Sequence, residues 1–278
     1  MVLIALLIAL SVERLYHSPA FLHWAFYLER WQRWTSVKLK DEKWESDPLQ
    51  LVRLLIPALG VGVLVVLLDN LMVTFIVSIL ALLLAFNCEP AREDYKAYLK
   101  AANRGDEAEA NKRQLALTEF AGHHQPQQLS DSLIWINYRQ YIAVMFYFVL
   151  FGSFGALVYA TLRYAEKCAE KPSEEPNSNQ PWQQLVWFAD WVPARLSAFG
   201  LLLVGHFSRA LAVWLPQTLN PQINPDKLLF DVAGKAEDSP QHTDDRTEHI
   251  ACQLRLMRRQ QIFWVCVIAV LTLIGWVS

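Results

Sequence analysis

Apolar residues in this chain fall in long blocks that charged residues avoid, and this segregation limits the fold more than any other feature. Leu51–Leu68 holds one charge, Arg53 near its start, while Leu71–Phe86 and Ile262–Val277 hold none. Charges gather instead in 27–47, 87–132, 163–175 and 226–259. Such alternation is the pattern of helices crossing lipid, where a span needs about 20 mostly apolar residues to bridge about 30 Å. With 54% hydrophobic and 19% charged residues, gross composition alone would also suit a large soluble protein. The clustering would not. The expected class is all-α: a polytopic helical membrane protein with about four to five membrane helices plus interfacial and cytoplasmic helices. It is read as a single membrane domain over 1–278.

A net charge of -2 and a pI near 6.4 give no basic face for neutralising phosphates, so no nucleic acid is expected as a partner. Cys88, Cys168, Cys252 and Cys266 stand far apart without a CxxC pair, which points to neither a zinc site nor a disulfide framework. The opening MVLIALLIALSVER lacks a positively charged start and a small-residue cleavage site before Glu13 and Arg14. It reads as a retained membrane segment. Residues 2–12 are too few to cross the hydrocarbon as one helix. They cross only if the helix runs on through Leu15 and Tyr16, carrying Glu13 and Arg14 inward.

Further along, Trp24, Leu28, Trp31 and Trp34 recur at helical spacing beside Arg30, Arg33, Lys38 and Lys40, the pattern of a helix lying at the membrane interface. The apolar blocks 51–68 and 71–86 are parted only by Asp69 and Asn70, so they form a tight helical hairpin with both outer ends on one side. Pro57, Gly60 and Gly62 allow a kink or close helix approach. The alanine-rich stretch 90–118 reads as a soluble helix, broken by Gly122–Gln128. Leu133–Leu162 is long enough to span. The segment KPSEEPNSNQP suits an extramembrane loop, and 216–250 reads as a loop with a polar, flexible centre. With the hairpin loop facing out, Lys and Arg are densest in 14–50, 87–132 and about 215–260. These become the cytoplasmic segments. Arg163, Lys167 and Lys171 on the outer side run against that map.

Ionisable groups at membrane depth are costly and usually face protein or a wet cavity. Three sets qualify: Glu13 with Arg14, Asn137 with Arg139, and Asp190 with Arg195 around Pro193 in ADWVPARLSA. The expected arrangement brings Asp190 or Glu13 against Arg139 or Arg195 in a polar cluster near the cytoplasmic face. Interface anchoring accounts for any one of these residues as well as a ligand site does. The DWVPAR turn favours a functional origin, because it concentrates two opposite charges and a helix-distorting proline. Gly234–Lys235 lacks the GxxxxGK[ST] context of a phosphate loop. His123 and His124 lack companion metal ligands at useful spacing, and His206 reads as a packing or interfacial histidine.

Several of these blocks carry a resemblance. The Glu13–Arg14 pair, YKAYLKAANRGDEAEA at 95–110, SLIWINYRQYIAVMFYFVLFGSFGALVYATLR at 132–163 and ADWVPARLSAFGLLLVGH at 189–206 are similar to the AmpE family. Its members are inner-membrane proteins associated with β-lactamase induction in Gram-negative bacteria. The resemblance implies an inner-membrane signalling or accessory role tied to antibiotic resistance and peptidoglycan recycling, beside the AmpD amidase pathway. Its implied partners are the lipid bilayer, cell-wall recycling or signalling proteins, and a muropeptide or nucleotide ligand. More distantly, Pro193–Ala198 resembles the PARLTA-type block of cobalamin-pathway membrane synthases. These enzymes form an amide with ATP and magnesium. WINYRQY near Asn137 and ATLRYAEK after Tyr159 depart from that family by lacking its acidic groups, so a ligase-like enzyme stands second to an accessory protein. A transporter stands third, for want of an internal repeat.

Overall fold

The computed structural model describes residues 1–15, 22–38, 47–68, 70–86, 88–122, 128–169, 181–237 and 246–276. His123, His124, Asp69 and most of the KPSEEPNSNQP connection, with Lys171, lie outside the described residues. Among the described residues every regular element is helical. In chain order the helices are α1 (Val2–Leu15), α2 (Trp24–Lys38), α3 (Asp47–Leu68), α4 (Leu71–Ala85), α5 (Glu89–Arg104) and α6 (Glu107–Ala121). There follow α7 (Leu129–Asn137), a π turn (Tyr138–Ile142), α8 (Ala143–Ala169), α9 (Pro181–Val204), α10 (Phe207–Leu219), α11 (Pro225–Ala236) and α12 (Arg246–Leu273). By length and composition three helical stretches can cross a membrane: Leu129–Cys168, Gln184–Val204 and Ile250–Leu273. A fourth results if Leu71–Ala85 is taken together with Glu89–Arg104, while Val52–Leu68 is apolar but shorter. The chain is a multi-pass helical membrane protein.

The fold divides into two compact units, one of Met1–Asn87, Val144–Ala189 and Ile268–Ser278, the other of Cys88–Ala143 and Asp190–Val267. In the first unit α1 packs on α4. The buried residues of α1, namely Ala5, Leu6, Ala9 and Glu13, follow helical spacing, and on α4 Ala81, Leu82 and Ala85 are buried. Small side chains let the two backbones approach, the usual basis of helix association in lipid. At 14 residues α1 is about 21 Å long, short of the hydrocarbon thickness, as its sequence implies. Helices α3 and α4 fall where expected. Asn70 caps α4 by accepting from the Met72 amide at 3.0 Å. Val63, Val66, Leu67, Leu71, Met72 and Ile76 are exposed, an apolar surface too continuous to face water and suited to lipid.

Proline inside a helix leaves the carbonyl four residues earlier without its amide. Pro57 does this to Arg53, and the Trp31 indole of α2 donates to that carbonyl at 3.0 Å. Pro193 does it to Ala189, and the Tyr147 hydroxyl donates there at 2.7 Å. Each freed carbonyl is thus satisfied by an aromatic donor from another helix. Arg53 itself bonds the Thr35 hydroxyl and the Gln32 carbonyl. Arg163 donates to the Ala85 carbonyl at 2.6 Å, where a cation suits the exposed carbonyls of the α4 C-terminus.

In the second unit α5 and α6 form a short-looped helical hairpin. Gly105 at φ 73 ends α5 in the left-handed conformation that glycine tolerates, and Asp106 caps α6 through the Glu109 amide. Arg113 bridges Asp94 at 2.9 Å and Glu109 at 2.7 Å. The span expected over Leu133–Leu162 falls within Leu129–Cys168, although a π turn and Gly152 at φ 64, ψ -152 interrupt its α-helical path. Two expectations from sequence are corrected. The stretch 90–118 is not one helix, since Gly105 and Asp106 part α5 from α6. Nor is 216–250 a loop with only a flexible centre. Helix α10 runs on to Leu219, and α11 buries Leu228, Leu229, Val232, Ala233 and Ala236 on one face. That spacing is helical, and Pro225 occupies the first turn, where its missing amide costs nothing.

Candidate functional site: a buried polar cluster

The π turn of Tyr138–Ile142 shapes the most polar part of the second unit. The Ala143 amide reaches back to the Tyr138 carbonyl, one residue further than in an α-helix. Such turns recur at functional sites, because the extra residue re-aims side chains that a regular helix would turn away. Here Tyr138 and Arg139 both meet Asp190 of α9. The Arg139 guanidinium donates to Asp190 Oδ2 from Nη2 at 3.0 Å and from Nε at 3.3 Å. The Tyr138 hydroxyl donates to Asp190 Oδ1 at 3.0 Å. Asp190 is 2% exposed, and the Arg139 side chain is 9% exposed. Beneath the guanidinium lies the Trp135 ring, 4.8 Å away, itself 5.2 Å from the Tyr138 ring.

Taking two charges out of water costs several kcal/mol per ion, and the attraction between them compensates only when the geometry is good and their remaining polar atoms are bonded. This pair meets that condition. Two donors share one carboxylate oxygen, a phenol holds the other, and an indole face covers the cation. Leu129–Cys168 and Gln184–Val204, which supply the pair, are candidate spans. The charges therefore sit on membrane-type helices, where ionisable groups are few and expensive.

Arg195 lies one turn further along α9 and plays a different part. Its Nη1 donates to the Trp191 carbonyl at 3.1 Å, its Nε to Thr218 at 3.3 Å and its Nη2 to Asn220 at 3.0 Å. The guanidinium carbon sits 3.8 Å from the centre of the Trp191 ring. Backbone carbonyls stand where the sequence suggested a carboxylate. Asn137 meets Gln261 of α12 through its side-chain oxygen. Close by in sequence, Gln260 donates to the Ser197 carbonyl at 2.8 Å and to its hydroxyl at 2.7 Å. Glu13 and Arg14 belong to the first unit, where Glu13 is buried and Arg14 exposed on α1. Of the six expected site residues the second unit brings Arg139 and Asp190 into direct contact, with Asn137 and Arg195 on the same two segments.

Tyr138, Trp135, Trp191, Gln260 and Gln261 were not singled out from sequence. WINYRQY held the signal for the first two, since a tyrosine and a tryptophan flanking a membrane-depth arginine have the chemistry to share its charge. The glutamines carried none beyond their position before the last apolar block. A magnesium–nucleotide does not fit this cluster. Magnesium requires oxygen ligands free to coordinate it, and both Asp190 oxygens accept hydrogen bonds from Tyr138 and Arg139. Among the described residues no group of three or more His, Cys, Asp or Glu side chains converges to hold a metal ion.

Comparison with known proteins adds an independent line. The family model described as Regulatory signalling modulator protein AmpE matches residues 1–278. Protein AmpE of Shigella flexneri is 27% identical over 213 residues, which cover 73% of this chain and 75% of that protein. No solved structure matches the chain.

Proposed function

This chain belongs to the AmpE family, and from that premise we propose that it is an inner-membrane accessory protein relaying the state of cell-wall recycling to β-lactamase expression. The family description supports a regulatory signalling role. The finer reading assigns the sensing step to the cluster of Tyr138, Arg139 and Asp190, with Asn137 and Arg195 beside it. One observation carries it: a carboxylate and a guanidinium are paired at 3.0 Å on two membrane-type helices. Such a pair holds the π turn of one helix to the proline-bearing segment of another. An anionic ligand, of which a muropeptide is the candidate, competes with Asp190 for Arg139 and so biases the two helices. The cytoplasmic segments 14–50 and 87–132, with the part of 215–260 that follows α11, then offer the surface that a recycling or signalling partner reads.

The test is complementation of a strain lacking the gene, with β-lactamase activity measured after β-lactam challenge. Asp190→Asn keeps the volume and one acceptor oxygen while removing the charge. The expected result is impaired induction at wild-type abundance in the inner-membrane fraction. Full induction at that abundance would remove the cluster from the mechanism.

A further inference from the structure

Within the second unit, the chain after α9 does not leave that helix. Trp214 of α10 packs against Phe199 with ring centres 5.4 Å apart and planes tilted by 46°, and its indole donates to the Arg195 carbonyl at 3.4 Å. Thr218 and Asn220 then accept from Arg195, and Pro221 accepts from the Trp191 indole at 3.4 Å. Contacts that step from Phe199 to Trp191 as α10 advances from Trp214 to Pro221 mean that α10 runs antiparallel to α9. It doubles back from Val204 to the level of Trp191, about 20 Å at 1.5 Å per residue. Helix α11 returns beside it. Gln217 donates to Asp231 at 2.7 Å, and the His206 amide donates to the Ala236 carbonyl at 2.7 Å. The end of α11 therefore meets the end of α9, where Gly205 has no room for a Cβ against the Ala236 backbone.

Because Gln184–Val204 of α9 is a candidate span, we infer that residues 207–236 form a re-entrant helical hairpin. It dips into the bilayer beside α9 and returns to the face from which it entered, with Arg195 capping its descending helix at membrane depth. Two features carry this independently. The first is the outward face. On α9, Val192, Leu196, Phe199 and Leu203 are exposed at helical spacing. On α10 the stripe continues with Phe207, 50% exposed, Leu215, 51%, and Leu219, 76%. An apolar stripe shared by a span and the helix folded along it fits acyl chains. The second is the cap. A helix ending in hydrocarbon leaves its last carbonyls unbonded, and such backbone persists at depth only where protein or trapped water satisfies it. Arg195 supplies two N–H donors and a positive charge to that C-terminus, and Trp191 supplies a third donor and an aromatic face. The inference concerns topology and stands whether or not the protein relays cell-wall status.

The experiment uses the full chain with its four native cysteines replaced by alanine, reconstituted in phosphatidylethanolamine–phosphatidylglycerol vesicles. Nitroxide labels are placed singly at Leu215→Cys, Leu219→Cys, Val192→Cys and Glu107→Cys. Power saturation compares collision with molecular oxygen, which concentrates in lipid, and with nickel–EDDA, which stays in water. The expected oxygen-to-nickel ratio at 215 and 219 matches that at 192 and exceeds that at 107 several-fold. Ratios at 215 and 219 equal to that at 107 would overturn the re-entrant hairpin. Adding Arg195→Ala is expected to lower the ratio at 219 several-fold and to leave 192 unchanged. An unchanged ratio at 219 would overturn the capping role.

Discussion

Removing the Asp190 carboxylate takes away the group to which two Arg139 donors and the Tyr138 hydroxyl are committed. The magnitude follows from burial. With the aspartate 2% exposed and the arginine side chain 9% exposed, water cannot readily replace the lost partner, and breaking one side of such a pair costs about 3–5 kcal/mol. Tyr138→Phe removes a single hydrogen bond to a charged acceptor, a loss of about 1.5–3 kcal/mol. The informative variant is the double exchange of Asp190→Leu with Arg139→Met. It removes both charges while keeping bulk, and should recover most of the loss, since apolar replacement of a whole buried pair is often neutral or stabilising by about 1–4 kcal/mol. Unfolding by SDS in mixed micelles, followed by circular dichroism, reads all three. If Asp190→Ala falls within about 1 kcal/mol of wild type, water reaches the pair and the low-dielectric argument fails. If the double exchange is less stable than Asp190→Ala, the pair contributes net stability and the desolvation reasoning is wrong.

Two further outcomes follow from the helix contacts. Tyr147→Phe should cost about 1 kcal/mol in the same unfolding assay, because it deprives the Ala189 carbonyl of its donor. The cost should largely vanish in a Pro193→Ala background, where the restored backbone amide takes over, and equal costs in both backgrounds would sever the link between proline and phenol. Gly205→Ala should destabilise by about 1–3 kcal/mol, the range for forced overpacking, since its Cβ would stand 2.4 Å from the Ala236 oxygen. Gly234→Ala, with nothing within 4 Å of the added carbon, is the control expected near zero or slightly stabilising.

Legibility from sequence followed the strength of the local signal. Helices α3 and α4 were readable almost to the residue, because lipid demands long uncharged runs and Asp69–Asn70 breaks them sharply. The partnership of Arg139 and Asp190 was within reach, since few charges lie on apolar helices and each needs company. The partner of Arg195 was not. Backbone carbonyls have no letter in a sequence, so a helix end folded against a guanidinium leaves no trace. The π turn was equally hidden, as no side-chain preference separates one wide turn from the α-helix around it. Helix α11 was missed for a different reason: Asp226, Lys227, Asp231 and Lys235 dilute its apolar face, and its repeat at 228, 229, 232, 233 and 236 shows only when counted.

The two proline-freed carbonyls that Trp31 and Tyr147 satisfy change what counts as a mutable unit. A proline in a helix is ordinarily a property of that helix. Here Pro57 and Trp31 behave as a key and its slot, and so do Pro193 and Tyr147. Restoring the missing amide closes the slot, and sliding the neighbouring helix by one turn withdraws the key. Drift at one position therefore favours change at the other, and the Trp31 indole on the Arg53 carbonyl holds α2 and α3 in register. A chain that exchanged both members together could carry its prolines elsewhere along the same helices.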